Sequence, residues 1–533
     1  MQPSKRQRTQ APPQNLLDKA IAWVAPRTAQ RRMAARVQLA MAGGYSGARL
    51  DKSTLAGWRT AAGSPDSDVI VDLPTLRARA ADLERNAPVG ATIVNTTATH
   101  VVGTGLACNP AIDGAFLRLT EERRREWQAD TLRRFNAWAE SPDCDLARKL
   151  TFYGIQDVGL RSALSRGDVF VVTPRITRNG RTRLALQLVE ADRVCNPQGK
   201  TDTDTLTAGI EHSAETGEAL RYHVADQHPG DTGRRVTTWT SIDARGAATG
   251  RRNVIHLYRQ LRPGLRRGVP LLAPVIEPIK QVTRYTDAEL QAAITSGLFA
   301  VFLRMDPNAF QDLFDEDARG AIVDRASKWS GEMEGGQAIN LLPGEEPVTS
   351  NPGRPNAQFD PFVTSCFRQI GMAVGIPYEV LVMHYQSSYS AARGALLMAW
   401  RFFSGWRAWM AADLCQPVYE LWLADEVAEG RIAAPGFFAD PVVRAAWCRA
   451  SWVGDGPGSI DPGKDVAAAG ERIALGISTR QTESLLHDGG DWEAKHAQLV
   501  READARRAAG FVVQGEAEPA AAPAPGAGND PGV

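Results

Sequence analysis

The stretch Gly458-Ser-Ile-Asp-Pro-Gly463-Lys464 has the spacing of a phosphate-cradling loop, where glycine amides and a lysine surround phosphates and a final hydroxyl residue holds Mg²⁺. Here Asp465 takes the hydroxyl position, Asp461 adds a second negative charge and Pro462 removes an amide donor. Nucleotide phosphates would meet repulsion, so the nucleotide reading is rejected. Gly103-Thr-Gly105 lacks the third glycine of a dinucleotide fingerprint and follows a helical pattern, so it reads as a helix terminator. Among eight histidines only His223 and His228 are close, and a surface loop accounts for them. There is no HExxH, no GxSxG, and no lysine at SxxK spacing from Ser387, Ser388 or Ser390. The six cysteines are scattered, without a CxxC pair or a nearby histidine at zinc-ligand spacing, which suits a reduced cytoplasm. No catalytic residue, cofactor or metal is expected.

Two clusters of cations remain. Arg262, Arg266 and Arg267 precede a long helical pattern; they form either a solvated loop or a contact with phosphates or acidic neighbours. Lys280 and Arg284 stand four residues apart on that pattern, on an ordinary wet face or toward a partner. The chain of 533 residues holds 61 basic and 61 acidic side chains, whereas a protein that grips nucleic acid statically needs a basic excess. Any DNA contact is therefore expected to be weak or local.

The elements positioning these residues can be read from periodicity. Leu76, Ala80, Leu83, Ala87, Ala91, Val94 and Ala98 predict a long amphipathic helix with a kink at Pro88. A second helix is predicted over Glu121 to Trp138, with Trp127, Leu132, Phe135 and Trp138 inward and Arg123 to Arg125 solvated. Short strands are expected at Asp168–Val172, Leu184–Val189, Gly209–Glu211, Leu220–Val224 and Val254–Tyr258. From Val275 a rod of about 26 residues, roughly 39 Å at 1.5 Å per residue, carries Ile276, Ile279, Val282, Tyr285, Ala288 and Ala292 on one face, and Pro278 predicts a kink near its start. A second rod, Phe359 to Val374, follows a mixed Asp/Gly/Pro stretch, so two rods bracket an insert. Trp400, Trp406, Trp409 and Trp422 mark a helical segment running to about Glu429. Ser478 with Gln481 predicts a capped helix start, and a last helix is expected over Asp491 to Ala509, with Trp492, His496, Leu499 and Ala503 on its packing side. Lys5, Arg6 and Arg8 lead to Pro12 and Pro13 rather than an apolar signal core, and no run approaches the roughly 18 apolar residues of a membrane span. The expectation is a soluble intracellular protein with no membrane partner.

Several of these segments, in this order, resemble the lambda-type bacteriophage portal family. They begin with Leu83-Glu-Arg-Asn86, Val101-Val-Gly-Thr-Gly105 and Trp127 to Trp138, and continue through Ser165-Arg-Gly-Asp168-Val-Phe170, Leu186 to Val194 and Gly209-Ile-Glu211. His256-Leu-Tyr258, Arg266-Arg-Gly268-Val-Pro270 and Leu342-Pro-Gly344 follow. The sharpest stretch runs from Phe367 through Gly375-Ile-Pro377-Tyr378 to Leu381, then Tyr389-Ser390-Ala-Ala-Arg393. Trp452-Val-Gly454 and Ile460-Asp461-Pro462-Gly-Lys464 complete the set, which absorbs the false phosphate loop. Where the family often has Asn ahead of its Tyr-Ser-Ser-Ala-Arg-like motif, this chain has His384-Tyr385-Gln386.

The resemblance implies a mostly helical α+β subunit of a ring, with wing, stem helices, clip insert and helical crown. Its expected divisions are a flexible basic arm (1–35), wing (36–268), first stem helix (269–300), clip (301–356) and second stem helix (357–376). A tunnel-loop region (377–393), wing and crown helices (394–453), helical crown (454–511) and a disordered Ala/Pro/Gly tail (512–533) follow. The implied function is the channel for double-stranded DNA packaging and ejection, without sequence specificity. Gln386, Ser387, Ser388 and Tyr389 are its expected tunnel loop, with Arg393 at the base. Implied partners are further copies of the chain in a dodecameric ring, the large terminase subunit, capsid and scaffold proteins, and head-completion proteins. The implied location is a capsid vertex, and the host cytoplasm during assembly. The competing readings are a packaging-associated nuclease or ATPase, which lacks its motifs here, and a virion adaptor that encloses no DNA.

Overall fold

At Ala87 the backbone leaves helical geometry (φ −111°, ψ 119°), and the single kinked helix expected there is two helices, Leu73–Asn86 and Pro88–Val101. Proline at the first position of the second helix has no amide to leave unpaired, so the break is complete rather than a bend. The computed structural model describes residues 21–41, 53–55, 58, 62–178, 180–297, 301–305, 345–349, 358–385, 389–458, 461–488, 490 and 492–511. The chain divides into two units, Met1–Ser64 and Pro65–Val533. In the first, the helix Pro26–Met41 occupies part of what reads in sequence as a flexible arm.

In the second unit, the two helices pack on a third, Phe152–Arg166, which sequence periodicity misses. Phe152, Ile155, Gln156, Gly159, Leu160, Ala163 and Leu164 are all buried, so this helix has no wide polar face to betray its period. The predicted helix at Glu121 is found as Glu121–Ala139, capped by the Thr120 side chain, with Phe135 and Trp138 buried. A three-stranded antiparallel sheet runs in the order Val254–Tyr258, Asp168–Val172, Gln187–Glu190. A four-stranded sheet follows as Leu206–Thr207, Ile210–His212, Ala219–Ala225 and Trp239–Asp243. The strand expected over Leu184–Val189 is divided: Arg181–Leu184 pairs with Arg175–Arg178, then Leu186 bridges to Asp145 before Gln187–Glu190 begins. Ala107–Pro110 pairs with Ala450–Val453, joining positions at least 340 residues apart.

The first rod is a helix over Ile276–Gly297, uninterrupted because Pro278 lies in its first turn, where amides lack helical acceptors. The second is Phe359–Val374, ended by Gly375 in the left-handed region (φ 75°) with its N–H bonded to Gly371 O. Between them Val301–Met305 and Glu345–Thr349 pair antiparallel. Tyr285 meets Phe359 and Phe362 at ring distances of 5.7 and 5.2 Å, and Ile279, Ile370 and Val374 enter the main core. Of the predicted face on the first rod, Ile279 and Val282 are buried and Ala288 is exposed.

The tryptophan-rich segment is a helix Tyr389–Met410, a π-helical turn Ala411–Cys415 and a helix Gln416–Ala428, with Trp406 and Trp422 in the core. The predicted cap at Ser478 is displaced by one residue: Thr479 Oγ1 accepts the Thr482 N–H at 3.1 Å and the helix is Arg480–Asp488. The last helix, Trp492–Ala508, leaves Leu499 exposed rather than packed within the chain. Among the described residues no helix is long and apolar enough to cross a membrane.

Candidate functional site

The motifs Ser165-Arg-Gly-Asp168 and Arg266-Arg-Gly268 meet where the chain passes from the small sheets to the first rod. Gly167, at φ +91°, ends the helix Phe152–Arg166, and Gly268 lies against it; a Cβ on either would fall well inside van der Waals contact of the other's carbonyl oxygen. This close crossing brings Asp168 and Arg267 together across 99 residues of sequence, both fully buried. Asp168 accepts from Arg267 Nε at 2.6 Å and Nη2 at 3.2 Å, Arg77 Nη2 at 2.8 Å, His256 Nε2 at 3.1 Å and the Gly268 N–H at 3.2 Å. The remaining Arg267 donors reach the carbonyls of Val194 (3.0 Å), Ala208 (2.6 Å) and Ala191 (2.7 Å). Burial alone would raise the Asp168 pKa, but Arg267 and Arg77 hold it well below the usual carboxylate range. His256 lies between Phe170 and Tyr258, with both ring distances 4.2 Å, and burial pushes its pKa down against the pull of Asp168.

Arg267 is thus a fully engaged buried cation, and the solvated-loop reading does not hold for it. Its neighbours also face acidic residues of the chain itself. Arg262 pairs with Asp68 at 2.7 Å, and Arg266 pairs with Asp66 at 3.4 Å and donates to Thr207 Oγ1 at 2.7 Å. The acidic-neighbour alternative describes the cluster, which fastens Pro65–Val69 and the Leu206–Thr207 strand to the start of the first rod. Lys280 and Arg284 are exposed on that rod.

Gln386, Ser387 and Ser388 lie outside the described residues, as do 306–344 of the expected clip and the tail from 512. Tyr389 opens the helix that follows. Arg393, four residues along it, pairs with Asp465 at 3.2 Å, tying that helix to Pro462–Ala474.

The motifs that imitated chemistry have structural roles. Asp461 caps the helix Pro462–Ala474 by accepting the Lys464 N–H at 3.3 Å, and Lys464 Nζ returns to Asp461 at 2.9 Å. Gly103 and Gly105 both have positive φ at the end of Pro88–Val101. There Asp455 binds Thr104, while Arg407 donates to the carbonyls of His100 (2.9 Å) and Val101 (3.1 Å). His223 is not on a surface loop: it is buried in the strand Ala219–Ala225 between Glu211 and Ser241, each at 2.9 Å. His228 approaches Glu190 and Asp192, a trio close enough to hold an ion. Its Nδ1 accepts the Gly230 N–H, which places the neutral ring's proton on the Nε2 facing the carboxylates, and Arg166 pairs with both acids. A cation would have to displace that proton and compete with the guanidinium, so the trio does not fit a metal.

Residues 51–407 match the family described as phage portal protein, lambda family. This chain belongs to the lambda family of phage portal proteins. It is 28% identical to the portal protein of Escherichia phage N15 over 488 residues, 88% of this chain and 90% of that one. It is 27% identical to portal protein B of Escherichia phage lambda over 476 residues, 86% and 88% of the two chains. Among solved structures, a chain from the virion of a native gene transfer agent particle aligns over 70% of this portal protein and 93% of its own length, at 14% identity and a TM-score of 0.38. An HK97 family phage portal protein from Corynebacterium diphtheriae aligns over 65% and 92%, at 14% identity and a TM-score of 0.32. Family membership rests on the sequence match and makes this chain a structural virion protein rather than an enzyme.

The Asp168–Arg267 pair was hidden from sequence reasoning because its members belong to separate motifs. The available signal was an acid heading the apolar run Val169 to Val172, where a carboxylate needs a buried cation.

Proposed function

We propose that this portal protein is one subunit of a ring, a dodecamer in particles, through which double-stranded DNA enters and leaves the capsid. The observation that carries the reading is the packed pair of helices Ile276–Gly297 and Phe359–Val374, joined through paired strands that bracket residues 306–344. In a ring the helix pair is the stem that lines the channel, and the bracketed stretch is the clip that meets the large terminase subunit and then head-completion proteins. A ring needs two unlike complementary surfaces on each copy. Leu290, Ile294, Phe362 and Met372 on the two helices, with Leu397 and Met398 on the next, are exposed apolar side chains suited to such contacts.

A sliding duplex is held back by every fixed cation that binds phosphate through counterion release. Arg262, Arg266, Arg267 and Arg393 are engaged by the chain's own acids, and among the described residues of the helix pair the exposed cations are Lys280, Arg284 and Arg368. Lys280 and Arg284 then face the channel or an adjoining copy, and Gln386 to Tyr389 form a polar loop indifferent to base sequence. Capsid and scaffold proteins surround the ring at one vertex, and assembly takes place in the host cytoplasm.

Negative-stain microscopy of the purified protein is expected to show annular particles with a central hole; single subunits at all concentrations would overturn the reading. Replacing Gln386 to Tyr389 by glycines should leave rings intact and lower the yield of DNA-filled particles. An undiminished yield would remove the loop from the mechanism.

A further inference from the structure

A cavity of about 530 Å³ lies against the outer strand Val254–Tyr258 and the π-helical turn Ala411–Cys415. Its walls include Tyr222, Val254, Trp409 and Asp413, and it carries Arg252 and Arg259. The half-buried Arg259 guanidinium lies over the Trp406 ring, 4.4 Å from its centroid, and among the described residues neither it nor Arg252 has a carboxylate within ion-pairing distance. Burial pushes the Arg259 pKa down with no opposing anion, unlike Arg267, whose five donors are all satisfied. Arg245, also on the wall, is already held by Glu218 at 3.4 Å. Glu218 and Asp413 stand on the same wall against Arg245, Arg252 and Arg259, so among the described lining residues the arginines outnumber the acids by one. Beneath Arg259 the Trp406 indole N–H is buried without an acceptor among the described residues.

A partly desolvated guanidinium without an anion is costly, and its planar fork fits a carboxylate or phosphate. A free ion would leave the aromatic and aliphatic wall empty, whereas the volume admits a short peptide stretch. The outer strand also offers main-chain groups to an extended partner. We propose that this cavity docks an acidic polypeptide segment, whose Asp or Glu carboxylate pairs with Arg259 and Arg252 while adjacent residues cover Tyr222 and Trp409. The site goes beyond the channel reading and does not depend on it.

The test uses the full chain and a fluorescently labelled hexaglutamate peptide, followed by anisotropy at fixed ionic strength. The double variant Arg252→Gln/Arg259→Gln should bind at least ~10-fold more weakly than the parent, the loss expected for a charge-assisted pair. Arg259→Lys, which keeps the charge but loses the fork, should fall between them. Binding retained by the double variant, or no binding by the parent, would overturn the proposal. Displacement of the peptide by equimolar inorganic phosphate at matched ionic strength would reassign the site to a free oxyanion and overturn the peptide occupant. Should the Arg259 variants fail to fold, Arg252→Gln alone alters an exposed side chain; it should weaken binding several-fold, and unchanged affinity would count against the site.

Discussion

At the Asp168 crossing, one carboxylate receives two arginines, a histidine and a backbone amide where water does not reach, whereas on the first rod Lys280 and Arg284 hold their charges in solvent. Both regions place charged residues near the start of that rod. Their physics differs: a buried charge has to be matched donor for acceptor, which fixes the chain paths around it, while an exposed charge tolerates replacement. The first arrangement fixes the start of the rod, and the second leaves its surface in solvent. Clustered arginines at the start of a long helix can therefore be architecture, and burial distinguishes the two cases.

The contrast can be broken most sharply at Arg267. Arg267→Met takes two of the five hydrogen bonds from the buried Asp168 carboxylate and the donors from three carbonyls, and should lower unfolding free energy by about 3–5 kcal/mol in a urea titration. A loss no larger than that of Lys280→Ala would erase the distinction. Next comes the glycine crossing. Gly268→Ala places a methyl against the Gly167 carbonyl and should cost about 1–3 kcal/mol, read as a fall in Tm; a neutral effect would mean that the two backbone segments separate freely.

A smaller effect should appear in pH dependence. His256 has a folded pKa below its ordinary value of 6.5, so the unfolded chain takes up the proton first as pH falls. Its contribution is complete above pH 6.5 and declines as pH drops through that value toward the folded pKa. Asp168, held well below the usual range, keeps its own contribution until pH falls under the ordinary Asp value of about 3.9. In His256→Gln, whose amide can still donate to Asp168, the fall in Tm between about pH 7 and 5 should be shallower than in the parent. Equal slopes would remove His256 from the balance. The smallest effect belongs to the surface: Arg393→Ala should change stability by less than about 1 kcal/mol, because its bond to Asp465 is exposed on both sides. A larger loss in urea would show that this pair too is structural.

Much of the fold was legible where period and punctuation agree. Asp168–Val172, Val254–Tyr258 and Phe359–Val374 lie where the sequence pattern puts them, and Gly375 stops the second rod as its motif suggests. The helix Phe152–Arg166 escaped because it is buried on several sides, and Ala107–Pro110 because its partner strand is distant in sequence. The site was legible only in pieces. Gly167, Asp168, Arg267 and Gly268 stood in quoted motifs, yet nothing local says that the Arg-Gly pair at 267–268 crosses a Gly-Asp pair a hundred residues earlier. Arg266 and Arg267 are adjacent, yet the first is half-buried and the second fully buried, which depends on which side chain faces the crossing.

Whether the paired rods form the wall of a passage is decided by a cryo-electron microscopy map of the assembled protein, detailed enough to trace helices. The expected result is a closed ring with Ile276–Gly297 and Phe359–Val374 from every copy bordering the central hole. A ring that turns those helices to its outer rim, or a particle with no hole, would contradict it.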